Sequence, residues 1–393
     1  MSTNEQRIVI VGGGIVGLSI ALGLARRGVQ VTVLEAQTLG SGTTSTSYAW
    51  INANGKEPHS YYAINRAGIE AHRAFATEAT GGGQWFFGTG HLEIAADASH
   101  EQDLRHRAEA LARRGYQVQE LSPEQAAALE PGLNLPESPR AIMYFPEEGH
   151  VYPLLYVAEV AHRLRAAGGK IVEGATVVGF DSAGGGVVVR TQDGGSYPAD
   201  RVVLASGGRT GEVAELGGGT VPMARFTEPG DVTVGYLART NALPVKLARL
   251  VTTPWLNARP EGGGRLVIQA LDLDATAEPG NVPGLDSELA EQFLTRLRSI
   301  LPASSGARID QLLVGQRVMP ADGKTIASPV PGAEWMYAVA THSGVTLAPF
   351  LGRAVSGELL DEPEPLLEDF RLSRFTQGVP AEPPRGPRKP GEQ

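Results

Sequence analysis

Cysteine is absent from the 393-residue chain. That excludes disulfides, thiolate metal sites, a cysteine nucleophile and any cysteinyl tether for a cofactor. The absence agrees with a reducing compartment, and the expected location is the cytoplasm. No apolar run approaches the ~20 residues needed to span a bilayer. The opening MSTNEQRIVIV is polar and then strand-like, without the apolar stretch of a signal peptide. Blocks of Lys and Arg are missing too. With Asp+Glu at 43 against Lys+Arg at 34, the net charge is −9, so neither nucleic acid nor an anionic membrane is an expected partner. The histidines show no H-E-x-x-H or H-x-H spacing, so no metal is expected. G-x-S-x-G is lacking, which counts against a hydrolase elbow.

What is present is ample for a core: 42% of residues are hydrophobic and 20% charged. At ~150 residues per domain the length suggests two or three domains. The last segment, GVPAEPPRGPRKPGEQ, is rich in Pro and charge and reads as a disordered tail over 377–393.

The first 35 residues read as a βαβ unit. Arg7–Val11 is β-rich, Ile15, Leu18, Leu22 and Ala25 keep helical spacing up to Gly28, and Gln30–Leu34 is β-rich again. Further helices are expected over Tyr62–Thr77, Ala108–Arg114, a turn after the N-cap Ser122, a long amphipathic stretch with Leu154, Val157, Ala161 and Leu164 on one face, Leu285–Leu301 and Leu347–Leu360. Strands are expected at Lys170–Val172, Thr176–Phe180, Val187–Thr191, Arg201–Ala205 and Trp335–Thr341, with a β-rich region from Val221 to Gln269. The nucleotide-type pieces are scattered. The expected fold is α/β: a discontinuous Rossmann-type domain from 1–85, 146–220 and 316–370, and a mixed β-sheet domain from 86–145 and 221–315.

Gly12, Gly14 and Gly17 complete G-x-G-x-x-G between strand and helix. The first permits the tight turn, the second lets a pyrophosphate approach the backbone, and the third lets helix and strand pack closely. Ile15 and Val16 open the helix, whose free N–H groups suit phosphate. Glu35 and Ala36 follow at the tip of the next strand, where a carboxylate accepts from both ribose hydroxyls and repels a 2′-phosphate. NAD and FAD both satisfy this unit. Three later stretches favour the longer flavin cofactor. GSGTTSTSYAWINANGK offers hydroxyls at Thr43, Thr44 and Ser45 a few positions past Glu35. Ser206-Gly207 ends a buried strand. Trp335–Thr341 runs into His342 and a helix whose N-terminus, with a dipole charge of ~+0.5, can stabilise negative charge on a reduced flavin.

These residues together resemble the FAD-dependent oxidoreductases of the D-amino-acid oxidase, glycine oxidase and sarcosine oxidase family. The likeness runs to about Leu360 and rests on VIVGGGIVGLSIALGLARRG…VTVLEA, TTSTSYAWI, EEGHVYPLLYVAEVAHRLRAAGGKIVEGATV, VVLASGG, GQRVMPADGK and ATHSGVTLAP. The resemblance implies non-covalent FAD and oxidation of a C–N bond by hydride transfer to flavin N5. It places Gly12, Gly14, Gly17 and Glu35 on the ADP half, Thr43, Thr44 and Ser45 on the pyrophosphate and ribityl chain, and Ala49 and Trp50 beside the isoalloxazine. Val177 falls at the position that meets adenine, Gly207 beside the cofactor, and Gly344, Val345, Thr346 and Leu347 at the pyrimidine edge. Arg317 matches the arginine that pairs with a substrate carboxylate, a role suited to a planar, permanently charged guanidinium. Two departures stand out: Val318 replaces the family's proline, and Thr341-His342-Ser343-Gly344 shortens a longer glycine-histidine ending.

His342 is a further candidate at the flavin edge. Lys56 and His59 are candidates for the active site, and Tyr48, Tyr236 and Trp255 join Trp50 as candidates for an aromatic substrate wall. The expected substrate is a D-amino acid, a glycine- or sarcosine-like amine or a cyclic imino acid, with oxygen as the acceptor. A dehydrogenase serving a quinone or partner protein and an accessory flavoprotein subunit remain alternatives.

Overall fold

The computed structural model describes residues 6–78 and 83–376; the expected tail lies outside them. Six strands form the first sheet, in the order Ile326–Val330, Ala333–Ala340, Arg201–Leu204, Arg7–Val11, Gln30–Leu34, Lys170–Val172. All neighbours are parallel except the outermost pair, Ile326–Val330 with Ala333–Ala340. Ile8–Val11 and Val202–Leu204 are buried without alternation, as strands covered on both faces must be.

Ile15–Ala25 and Gly344–Glu358 share the core on one face of this sheet, and His59–Thr77 packs against the latter helix. The first two approach backbone to backbone. A Cβ on Gly23 would lie 2.3 Å from the Gly352 carbonyl oxygen. Pro153–Ala166 packs beside the first helix, and Ser19 Oγ meets Tyr156 OH at 2.8 Å. Its buried stripe is Tyr156, Val157, Val160, Ala161 and Leu164. Leu154, expected on that stripe, is 47% exposed, although Pro153 beside it is buried.

The second sheet has eight strands: Ile309–Gln316, Val234–Thr240, Arg265–Gln269, Asn257–Gly262, Leu250–Thr252, His91–Ala95, Ala141–Phe145 and Gln119–Glu120. It is mixed, since Leu250–Thr252 runs parallel to His91–Ala95 while the other neighbours are antiparallel. Leu92, Ile94, Val251, Ala258, Leu266 and Ile268 share a core with Phe293 and Leu297 of the Glu288–Ile300 helix. Side chains alternate along a strand, so His91, Glu93, Thr252, Asn257 and Arg259 turn to the opposite face. A short sheet of Trp50–Ile51, Gly149–Val151 and Phe86–Phe87 joins the two bodies.

Several helices extend beyond their expected starts. His59–Thr77 and Gly344–Glu358 each begin three residues early, and Ala98–Arg113 ten. Asp97 caps the last through the His100 N–H at 2.9 Å, a polar start signal in a segment with little apolar patterning. Ser122 caps Pro123–Leu129 as expected, within a reciprocal capping box with Gln125.

Candidate functional site

Because four adjacent strands of the first sheet run parallel, Gly12, Glu35, Ala205–Gly207 and Thr341–Gly344 emerge along one edge. Ligands of open α/β sheets sit outside that carboxyl edge. Gly12 has φ +113°, and a Cβ there would lie 2.4 Å from the Ala205 oxygen. A Cβ on Gly17 would lie 2.1 Å from the Gly12 oxygen. No larger residue lets the helix start this close to the strand.

Gly14 is the helix N-cap and no side chain caps it. Ile15 donates its N–H to Thr44 Oγ1 at 3.1 Å, which ties the hydroxyl-rich loop to the glycine turn. Val16 faces Gly344, where an added Cβ would meet Val16 Cγ2 at 3.5 Å. The Glu35 carboxylate accepts from the N–H groups of Gly13 (2.7 Å) and Gln37 (2.9 Å), beside an exposed Ala36. Ala175 N–H donates to the Glu35 carbonyl at 2.8 Å, which leads the chain into Val177 next to this turn. Ser206 Oγ is buried without a partner, and Gly207 holds φ +61°.

The loop is gripped from the second sheet. Thr43 Oγ1 donates to the Gln316 carbonyl at 2.7 Å, and Arg239 donates to the Ser45 carbonyl at 2.8 Å. Arg259, fully buried, donates through Nε to the Tyr48 carbonyl. Ala49 then takes φ +56°, a left-handed conformation costing about 1–3 kcal/mol in a non-glycine residue. It turns the chain so that Trp50 points inward, 5% exposed. Trp50 Nε1 donates to Glu148 Oε2 at 2.7 Å, and Thr346 Oγ1 donates to the Trp50 carbonyl at 3.3 Å.

The helix from Gly344 also lacks a side-chain cap. Ser343 Oγ is engaged by Tyr61 OH at 2.8 Å, and His72 Nε2 lies 2.7 Å from the Val345 carbonyl. Leu347 is buried behind this first turn. Burial holds His342 well below the ordinary histidine range, and the positive charges of Lys56 and Arg317 push the same way. It is therefore neutral. Lys56 is buried rather than solvated. Burial pulls its ammonium down to about 8, against the opposing attraction of Glu148.

Arg317 is more constrained than its expected role requires. Its Nη1 donates to the carbonyls of Val232 and Val234, and its Nη2 lies 3.3 Å from Asp274 Oδ2. Burial lowers it to about 10, with Asp231 opposing, so it stays charged at neutral pH. Two wall candidates, Tyr236 and Trp255, and the active-site candidate His59 fall elsewhere. Tyr236 packs in the core beneath the second sheet and donates to the Thr276 carbonyl at 2.9 Å. Trp255 is 48% exposed and His59 is exposed at a helix start. Periodicity could not place them, because all three depend on which sheet face or loop side the chain presents. Tyr48 stays at the loop, its OH buried without a partner.

Glu148, His91, Arg259 and Asp274 were not singled out in the sequence. Only Glu148 carried a signal, as a carboxylate directly before a buried Gly149–Val151 strand.

The glycine cradle, the orphaned Ser206 Oγ and two uncapped helix N-termini on one sheet edge fit an extended dinucleotide with a ring system at its far end. The fold and site therefore define a two-body dinucleotide-binding α/β protein. The chain belongs to the FAD dependent oxidoreductase family, whose model matches residues 7–357. It is an oxidoreductase whose cofactor is FAD. It is 27% identical to a glycine oxidase of Geobacillus kaustophilus over 97% of this chain and all of that protein. It is 26% identical to a glycine oxidase of Bacillus licheniformis (93% and 96% covered) and 28% identical to one of the subunits of an opine oxidase of Agrobacterium tumefaciens (94% and 98%). The crystal structure of the Geobacillus kaustophilus glycine oxidase superposes with a TM-score of 0.80 at 25% identity, covering 94% of this chain and 99% of that one. Among the described residues no helix is long and apolar enough to cross a membrane.

Proposed function

We propose that this protein oxidises the C–N bond of a small amino acid or amine by hydride transfer to flavin N5, with oxygen reoxidising the flavin to give peroxide. The supporting observation is the joint at Trp50, whose carbonyl is tied to the Gly344 helix by Thr346 while its indole is anchored toward the second sheet. FAD supplies the two-electron acceptor when bound. The protein's part is to bind, orient and exclude water. The Gly344 helix tip stabilises negative charge arriving at the pyrimidine edge. Neutral His342 would add no charge there, and Trp50 would wall the ring. Arg317 orients a substrate carboxylate in competition with Asp274. No general base is assigned, since an amine bound in its neutral form needs little proton transfer to release hydride.

In this reading 1–85, 146–220 and 316–370 hold FAD, 86–145 and 221–315 cover the substrate, and the reaction takes place in the cytoplasm. The names of the relatives support the substrate class, because glycine and opines share a secondary or primary amine beside a carboxylate. The test is an anaerobic screen of D-amino acids, N-methyl amino acids and cyclic imino acids on the yellow holoprotein. Bleaching of the flavin by a member of the panel, followed by peroxide on admitting air, is expected. Bleaching without peroxide would move the electrons to another acceptor, and no bleaching by any amine would reject the reading.

A further inference from the structure

Beside Trp50 stands a buried carboxylate that the proposed chemistry does not use. Glu148 has no solvent exposure and stands where three elements meet. Its Oε2 accepts from Trp50 Nε1 (2.7 Å) and lies 3.0 Å from His91 Nδ1, and its Oε1 accepts from Tyr116 OH at 3.3 Å. His91 Nε2 in turn lies 2.9 Å from Thr252 Oγ1. An Nδ1–H tautomer lets His91 donate to Glu148 while accepting from Thr252. The His91 ring also meets the Trp50 indole edge-on, with centroids 4.6 Å apart. One chain of contacts therefore runs from the second sheet (Thr252, His91) through Glu148 to the Trp50 indole. The Trp50 carbonyl continues it to Thr346 on the flavin-edge helix.

A carboxylate this deep is costly unless its lone pairs are filled. Here they are filled by groups from both bodies, and Lys56 supplies a nearby positive charge. A simple core contact would need only an apolar residue of similar size. What a carboxylate adds is direction: one oxygen, Oε2, holds the indole N–H and the imidazole at once while Oε1 is held by Tyr116, so neither ring can rotate independently.

We infer that Glu148 is a positioning residue that locks the Trp50 indole against the flavin ring and makes its orientation depend on the second sheet. The inference rests on Trp50 standing at the isoalloxazine, as in the proposed function. A fixed wall matters because a misplacement of about 1 Å at a reacting centre costs up to ~100-fold in rate.

The test uses FAD-loaded protein in four forms: wild type, E148L, W50F and the double variant, with E148Q as the conservative rescue. E148L is expected to shift the flavin absorbance bands and visible circular dichroism. It should lower kcat ~10- to 100-fold while KM moves less than ~3-fold. E148Q, which keeps one carbonyl oxygen as acceptor, should recover part of both. In the W50F background E148L should add no further change to the flavin spectrum, because the indole it would release is gone. If E148L fails to fold, E148A against W50F carries the same comparison. An acceptor-free variant with unaltered flavin dichroism and kcat would overturn the inference, as would an effect of that variant that persists undiminished without Trp50. The flavin spectrum responds without turnover. A spectral shift in E148L with no amine oxidised by wild type would therefore sink the substrate reading and keep this one. Amine-driven bleaching with no E148L effect would do the reverse.

Discussion

The two large sheets are built from different materials. The carboxyl edge of the six-stranded sheet is glycine, serine, threonine and backbone, with Glu35 as its carboxylate at the turn. One face of the eight-stranded sheet carries Glu93, His91 and Arg259, buried and partnered. A cofactor that never changes is recognised by backbone groups at fixed positions. The second sheet is held in place by side chains drawn from many parts of the chain. The first kind of site fails through shape, and the second through charge.

The largest effect should come from shape. Gly17→Val places carbon atoms within 2.1 Å of the Gly12 oxygen, and backbone cannot yield as a side chain can. The variant is expected to purify colourless. A retained visible flavin band would show that the glycine turn does not carry the cofactor.

On the charged side, Glu93 is the next lever. Burial alone would raise its pKa, but the Arg107 charge and hydrogen bonds from His100 and Arg107 lower it to about 2. A depressed carboxylate contributes stability that is complete above its unfolded value of 4.5 and disappears as pH falls through about 2. At 1.36 kcal/mol per pKa unit that is about 3 kcal/mol. Urea midpoints measured between pH 5 and 2 should fall more steeply in wild type than in Glu93→Gln. Parallel slopes would remove Glu93 from the account.

Lys56 runs the other way along the pH axis. Its folded value of about 8 lies below the ordinary 10.5, so the folded protein loses this proton first. Stability should rise by about 3 kcal/mol between pH 8 and 10.5 through this group, and Lys56→Met should flatten that rise. If the two proteins keep the same slope, Lys56 is better solvated than its burial indicates.

Asp274 sharpens the comparison at the substrate. Its carboxylate competes for Arg317, so Asp274→Asn should lower KM for carboxylate-bearing amines ~10-fold, about 1.4 kcal/mol, and leave simple amines unchanged. An equal change for both classes would show that Arg317 does not read the carboxylate. The smallest effect is expected at Ala49. Glycine accepts φ +56° without strain, so Ala49→Gly should change the melting midpoint by at most a few degrees, the ~1 kcal/mol of backbone strain being partly offset by glycine's greater unfolded freedom.

Much of the first sheet was legible because its rules are local. Arg7–Val11, Gln30–Leu34 and Lys170–Val172 fall at their expected bounds, since each is a β-rich run closed by glycine or a turn. The glycine turn and Glu35 are readable for the same reason, with chemistry and spacing lying within one βαβ unit. Arg317 was legible as a position and illegible as an environment. Nothing in GQRVMPADGK discloses that Asp274, far away in sequence, occupies its Nη2. Lys56 was legible as an active-site candidate and illegible as a buried charge, because its burial and the attraction of Glu148 depend on packing across 92 residues of sequence.

By itself the sequence determined the nucleotide-binding unit, the scattered strands that rejoin it and the family they define. Hydrophobic period and glycine placement act through neighbours a few residues apart. Only the tertiary structure decided which charges lie buried, which arginine is already occupied and how Trp50 is held. Those depend on strand alternation across a sheet whose rows join residues 93, 252 and 257. A one-residue change in register would reverse every one of those faces, and no local pattern encodes that choice.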